Sequence, residues 1–249
     1  VEGEAVATAA GRGDRQRNVN RLREQFRRAA LTYRTEGFLA LARRASAHAA
    51  GWLFRYETYY LYEANSSTYR RRSDHGFVPK VDGLSFRVVF TDEEADEVEA
   101  QGFHFRKYVV DTKGKLDKGA IAFCVFVGHE LANIGWLCTT QRARDGLKEP
   151  PATVDFSNGE AWAGGAWTAP RYRRMGLHTY SGLKRDEWWF QKGIVRSKWA
   201  VARSNAASLG ADIKTGNLRY GEGRYLKILW WKSWREKPLT PQRAQETRK

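Results

Sequence analysis

Two cysteines in a chain of 249 residues are too few for a disulfide framework or a zinc ligand set. Both, Cys124 and Cys138, lie in apolar runs that read as strands, so buried, reduced thiols and a cytoplasmic setting are expected. No apolar run approaches the roughly 20 residues that a membrane-spanning helix needs. The longest, Ala120 to Val127, has the length of a strand. The first residues are rich in Ala, Gly and Arg but lack the apolar stretch of a secretory signal. No internal repeat and no long low-complexity segment is present. Acid is the scarce charge: 28 Asp and Glu stand against 43 Lys and Arg, a net charge of +15. A field of that sign attracts phosphates, acidic proteins, nucleic acid and anionic membranes. The charge is spread, with clusters at Arg21–Arg28, Arg70–Arg72, Arg171–Arg174 and Arg243–Lys249, a distribution that an ordinary soluble surface also shows.

What is plentiful is aromatic: 10 Trp, 11 Tyr and 12 Phe support a sizeable core. Residues 1–14 are small and polar without periodicity and read as a flexible tail. Val19, Leu22, Phe26, Ala29, Ala30 and Tyr33 share a helical face, and Gly37 separates them from a second helix running from Phe38 to about Leu53. The pair is expected to pack on the core as an amphipathic extension; an RNA-binding arm is the alternative. Phe54 to Glu63 alternates like a strand, although aromatics interleaved with arginines also stack bases. Asn65 to Lys80 reads as a loop, Leu84 to Phe90 as a strand, and Asp92 to Ala100 as a helix capped by Thr91. Ala120–Val127 and Leu131–Thr140 form a hairpin around Gly128-His129-Glu130, and Arg142–Pro151 is a loop. The division that follows is a tail at 1–14, an extension and connecting loop at 15–80, a core at 81–236 and a second tail at 237–249.

The most informative stretch is Thr168-Ala-Pro-Arg-Tyr-Arg-Arg-Met-Gly-Leu-His178. A strand-like run, Glu160 to Trp167, precedes it, and a helical pattern from Leu177 to Lys192 follows. Arg173, Arg174 and Gly176 therefore fall at a helix start, where the first N–H groups lack partners and the dipole favours an anion. At Gly176 no Cβ stands between the backbone and a bulky ligand. The physics describes an anion cradle; an ordinary strand-to-helix corner with two solvated arginines is the alternative.

Pro170-Arg-Tyr172-Arg173-Arg174-Met175-Gly176-Leu177-His178 resembles the acyl-CoA-binding motif of the GNAT (Gcn5-related N-acetyltransferase) superfamily. That motif is Arg or Gln, two residues, Gly, one residue, then Gly or Ala. A second element of that family follows at the expected distance: the strand Lys198–Ala202, Asn205, a short helix and Gly216, then a final strand Arg224–Trp231. The likeness spans roughly residues 84 to 235. It implies a mixed, mostly antiparallel, splayed central sheet flanked by helices, an α/β (α+β) class, with an N-terminal helical extension. It implies acetyl-CoA or another acyl-CoA as co-substrate, bound along Thr168, Arg173, Arg174, Met175, Gly176, Leu177 and His178, with the amides from Arg174 to His178 holding the pyrophosphate and Arg173 and Arg174 adding charge. Asn205 would orient the pantetheine or the neighbouring strand. Two departures stand out: His178 replaces the last small residue, and Asp212 occupies the offset where many members carry a Tyr general acid.

The implied reaction is transfer of the acyl group to an amine, which needs alignment, a base and an oxyanion donor. A backbone N–H near Trp167 or Thr168 is the expected donor. Glu160, at the start of the strand leading to the motif, is the first candidate for the base, ahead of Glu130 and His129. Ser208, Asp212 and Tyr220 are unassigned candidates for the acid. Trp162, Trp167, Trp188, Trp189 and Trp199 either wall an acyl pocket or fill the core. The acceptor is expected to be a small-molecule or peptide amine. Two alternatives use the basic surface: an acyl carrier protein or aminoacyl-tRNA as partner, and a non-catalytic nucleic-acid-binding module. Nothing in the residues demands a dimer, and no metal set is present.

Overall fold

In the computed structural model, residues 53–65, 77–147 and 149–239 are described, together with Ala30, Tyr33, Arg34 and Gly37 to Leu39. Most of the expected helical extension, the tail at 1–14, the tail at 237–249 beyond Leu239 and three of the four arginine clusters lie outside the described residues.

Among the described residues, eight strands form one open sheet in the order β2-β3-β4-β5-β6-β1-β7-β8. In chain order these are β1 (Phe54–Asn65), β2 (Leu84–Val89), β3 (Ile121–Val127), β4 (Glu130–Cys138), β5 (Glu160–Thr168), β6 (Arg196–Ala202), β7 (Leu218–Ile228) and β8 (Trp231–Pro238). From β1 onward the α-helices among the described residues are α1 (Asp92–Ala100), α2 (Thr112–Leu116), α3 (Gln141–Asp145), α4 (Leu177–Gln191) and α5 (Ala206–Thr215). Every neighbouring pair is antiparallel except β5 with β6. The fold class is thus the mixed, mostly antiparallel sheet flanked by helices that the motif likeness implies.

The apolar run of β3 is buried along almost its whole length because both faces are covered, as is β4. Phe105, Phe126, Ile134, Trp136 and Trp162 pack on one face, and Phe123, Leu137, Ala163 and Trp189 on the other. At about 25 cal/mol per Å² of apolar surface, each large ring fully removed from water stabilises by about 2 to 3 kcal/mol. α4 lies against β4 and β3, with Leu177 meeting Val125 and Ala132. α1 starts as expected, Thr91 accepting the Glu94 N–H at 3.2 Å. Cys124 and Cys138 are buried free thiols, and burial pushes Cys138 up to about 12, so the thiolate is suppressed.

Two expectations are corrected. Phe54–Asn65, assigned to the 15–80 extension, is an interior strand between β6 and β7, so the sheet begins before residue 81. Tyr59, Leu61, Tyr62 and Ala64 are buried, and an apolar strand of that kind gains more inside a sheet than in an appended layer. The expected final strand, Arg224–Trp231, is broken into β7 and β8 by a turn at Leu229-Trp230, and β8 continues to Pro238. Leu229 takes the left-handed conformation (φ 54°) there without the Gly or Asn that would signal the turn.

Candidate active site

The site arises where β5 and β6 part. The two parallel strands pair only from Glu160–Trp162 against Arg196–Lys198. Beyond that point a bulge turns β5: Ile134 faces Trp167 and Trp136 faces Gly164, so Gly165 and Ala166 lie opposite Gly135 alone. Gly165 adopts φ 59°, and a Cβ on it would stand 3.0 Å from Trp136 Cδ1. No larger residue meets both demands. The result is a cleft of about 270 Å³ between Ala163–Ala166 of β5, Trp199–Ala202 of β6, and the facing sides of α4 and α5.

α4 contributes His178, Gly182 and Arg185, spaced as one helical face. Gly176 (φ 79°) precedes the helix, no side chain caps it, and a Cβ on Gly176 would meet nothing within 4 Å. The N–H groups of Leu177, His178 and Thr179 have no intrahelical acceptor, while Tyr180 N–H bonds to the Gly176 carbonyl at 2.9 Å. This is an open end suited to phosphate. Arg173, Arg174 and Met175 are exposed beside it, Arg174 at φ 68°. They form its rim and do not line the cleft. Leu177 is buried in the core, so only its backbone can reach a ligand.

His178 lines the cleft itself. Burial, with the Arg185 guanidinium nearby, pushes its imidazole down to about 4, so the ring is neutral at pH 7. Asn205 caps α5 by accepting the Ser208 N–H at 3.2 Å and also lines the cleft. Asp212, one turn further along, accepts from Trp199 Nε1 at 3.2 Å and Asn217 Nδ2 at 2.7 Å. Of the five tryptophans considered for an acyl pocket, Trp199 lines the cleft; Trp162 and Trp189 are fully buried core. Ser208 and Asp212 reach the cleft, whereas Tyr220 does not line it and burial raises its phenol well above the usual range.

The two residues expected to be catalytic are elsewhere. Glu160 sits at the closed end of the strand pair, accepting from Lys198 Nζ at 2.6 Å and the Asp155 N–H at 2.8 Å, with Arg196 Nε at 3.8 Å. Both Glu160 and Lys198 side chains are nearly buried, at 12 and 13 % exposure. This carboxylate locks two strands and does not line the cleft. Trp167 is turned to the other neighbours: its carbonyl accepts Asn133 Nδ2 at 3.1 Å and its ring stacks on Tyr108. Thr168 Oγ1 accepts from the same Asn133 Nδ2 at 2.8 Å. The bulge shifts the cleft-facing backbone back to Gly165 and Ala166. Glu130 pairs with Arg171 and His129 packs on Phe103, both remote from the cleft.

The sequence reading missed Glu149. It lines the cleft, and its Oε1 accepts the Gly165 N–H at 2.7 Å. Burial raises its carboxyl above the usual value, with the Gly165 bond and Arg144 opposing. The loop that carries it is anchored twice. Arg144, over the Trp162 ring at 4.3 Å, donates to the Pro150 carbonyl at 2.7 Å, and the Thr153 N–H bonds to Glu236 Oε1 at 2.6 Å. Gly164 makes room, since a Cβ there would fall 2.8 Å from the Glu149 carboxyl. No metal-binding cluster of His, Cys, Asp and Glu occurs among the described residues.

No protein-family model matches the chain, and no curated protein does. Solved structures overlap it in part. One is a GCN5-related N-acetyltransferase from Sphaerobacter thermophilus, with 11 % identity, 83 % of this chain and 58 % of that one covered, and a TM-score of 0.42. A second is a GNAT-family acetyltransferase from Novosphingobium aromaticivorans, with 12 % identity, 75 % and 66 % covered, and a TM-score of 0.41. A third is a tandem GNAT protein from the clavulanic acid biosynthesis pathway, with 15 % identity, 79 % and 59 % covered, and a TM-score of 0.45. The chain thus spans about three-fifths of the length of such structures. The strand order, the parting of β5 from β6 and the cleft that results are features of this chain itself.

Proposed function

We propose that the cleft holds the pantetheine arm of an acyl-CoA and that the protein is an N-acyltransferase, most simply an acetyltransferase, acting on an amine. The observation that carries this reading is the parting of β5 from β6 directly beside an uncapped helix start. A slot with exposed strand backbone on both walls suits an amide-bearing arm, and free N–H groups at its mouth suit a pyrophosphate. The rim arginines Arg173 and Arg174 add positive charge, and Gly176 leaves space for the ligand to approach.

Acyl-CoA supplies the activated thioester; the protein orients it and manages protons. Glu149 is the general base in this reading, because it is a cleft carboxylate that accepts the Gly165 N–H and whose proton affinity burial raises. The Gly165 N–H donates to Glu149 and holds that base in the cleft beside the bulge. His178, neutral and beside the helix start, offers a hydrogen bond to the arm without adding charge. Asn205 and Ser208 border the same space from α5.

Calorimetric titration with acetyl-CoA, followed by an assay of free CoA release with a panel of amines, tests the reading. Saturable binding and amine-dependent release support it. Binding confined to an acyl carrier protein would transfer the same cleft to a carrier-borne donor, and tight nucleic-acid binding without any CoA affinity would replace it.

A further inference from the structure

The sheet ends in an exposed apolar point. The turn Leu229-Trp230 joins β7 to β8, and the Leu229 N–H bonds to the Leu53 carbonyl at 2.7 Å, which draws the start of β1 to the same place. Phe54 is paired with Ile228 and Ile228 with Trp231, so their side chains form one row across three strands on one face. Trp230 at the tip is 86 % exposed, and Leu53, Phe54, Tyr56, Ile228, Leu229 and Trp231 are exposed beside it. Contiguous apolar exposure of that kind marks a contact surface. The opposite face carries the row Arg55, Lys227 and Lys232. From Arg224 to Arg235 the hairpin has four cations and no acid.

The order of these groups selects the partner. Tryptophan and aliphatic side chains form the extreme point while cations stand behind it, the arrangement that suits a bilayer interface, with rings at headgroup depth and cations against lipid phosphates. A second copy is disfavoured, since a protruding two-residue turn offers little of the roughly 800 Å² per partner that a stable dimer buries. Nucleic acid would call for cations at the leading point. The net charge of +15 favours an anionic surface. We propose that the Leu53–Tyr56 and Ile228–Trp231 tip docks on an anionic lipid bilayer surface.

The placement has a consequence for the cleft. β1 runs antiparallel to β6, Tyr59 opposite Ala202, so Phe54 to Thr58 project past the end of β6 at which the cleft opens. Ser204 Oγ donates to Glu57 Oε1 at 2.9 Å, joining the segment that enters α5 to the base of the tip. Docking would therefore bring the mouth of the cleft to the membrane side of the molecule.

Co-sedimentation of the full chain with phosphatidylcholine vesicles, with and without phosphatidylglycerol, tests the proposal. Partition onto the phosphatidylglycerol vesicles is expected. It should fall about tenfold or more in Trp230→Ser/Trp231→Ser, and roughly thirtyfold in Lys227→Gln/Lys232→Gln. Both variants should retain the thermal midpoint and acetyl-CoA titration of the wild type, so this test is separate from that of the cleft. Absence of partition, or partition indifferent to both double variants, overturns it. So does a finding that the tip residues govern RNA binding or self-association in sedimentation instead.

Discussion

Glu149 and Gly165 are joined by a 2.7 Å hydrogen bond from the Gly165 amide to the Glu149 carboxylate, which ties the loop after α3 to the bulge in β5. That bond places a half-buried carboxylate and a backbone donor together in the cleft. If Glu149 is the base, Glu149→Gln keeps the bond but removes the proton acceptor. An amine-transfer assay should show kcat lowered by about 10²- to 10⁴-fold, with acetyl-CoA affinity unchanged. Gly164→Ala should lower kcat as well, because its Cβ would displace the carboxyl.

The pH dependence follows from the same group. A base works deprotonated, and burial raises the Glu149 carboxyl, so activity should climb with pH through a limb lying above the ordinary carboxylate value of 4.5. A carboxyl raised on folding stabilises the fold below its unfolded value and loses that contribution as pH rises through the folded value. Glu149→Gln should therefore be neutral or slightly stabilising at pH 7, measured by denaturant midpoint, even as activity falls.

Glu160→Gln should do the opposite. Removing the charge leaves Lys198 nearly buried without its 2.6 Å partner, a loss of about 2 to 3 kcal/mol in a denaturation experiment. Turnover of the folded fraction should stay within about twofold of wild type, since this carboxylate lies outside the cleft. A large drop in kcat with stability intact would return Glu160 to the chemistry.

His178 makes stability fall in acid. Its folded value of about 4 lies below the ordinary 6.5, so the unfolded chain binds the proton more readily between those limits. The unfolding free energy from denaturant titration should decline as pH drops from 6.5 to 4, by up to about 3 kcal/mol from this group, and the decline should be smaller in His178→Gln. An unchanged slope in the variant would contradict the buried neutral ring.

Much of this was legible in the sequence because local rules and tertiary needs agreed. Thr91 and Asn205 are polar caps at helix starts, Gly216 ends α5 in the left-handed conformation, and the apolar runs of β3 and β4 have strand length. The strand, glycine and helix around Gly176 were likewise readable, since they follow one another directly. Glu149 was not, because a lone Glu before Pro150-Pro151 carries no periodic signal, and its burial depends on Gly164, Gly165 and Arg144 folding around it. Glu160 misled for the converse reason. A carboxylate on the right strand was paired by Lys198 and Arg196, which come from a strand some 36 residues later, as the Glu160–Arg196 register shows. The shift from Trp167 to Gly165 required the bulge, which glycines permit but do not announce.

Calorimetric titration of the wild type and Gly176→Trp with acetyl-CoA is the most direct test of the central claim. One-to-one binding by the wild type, lost in a variant that still folds with a midpoint lowered by the roughly 1–2 kcal/mol that a non-glycine residue costs at φ 79°, is the predicted result, because the indole would fill the open space at the α4 start. Absence of binding by the wild type, or equal binding by both proteins, would contradict it.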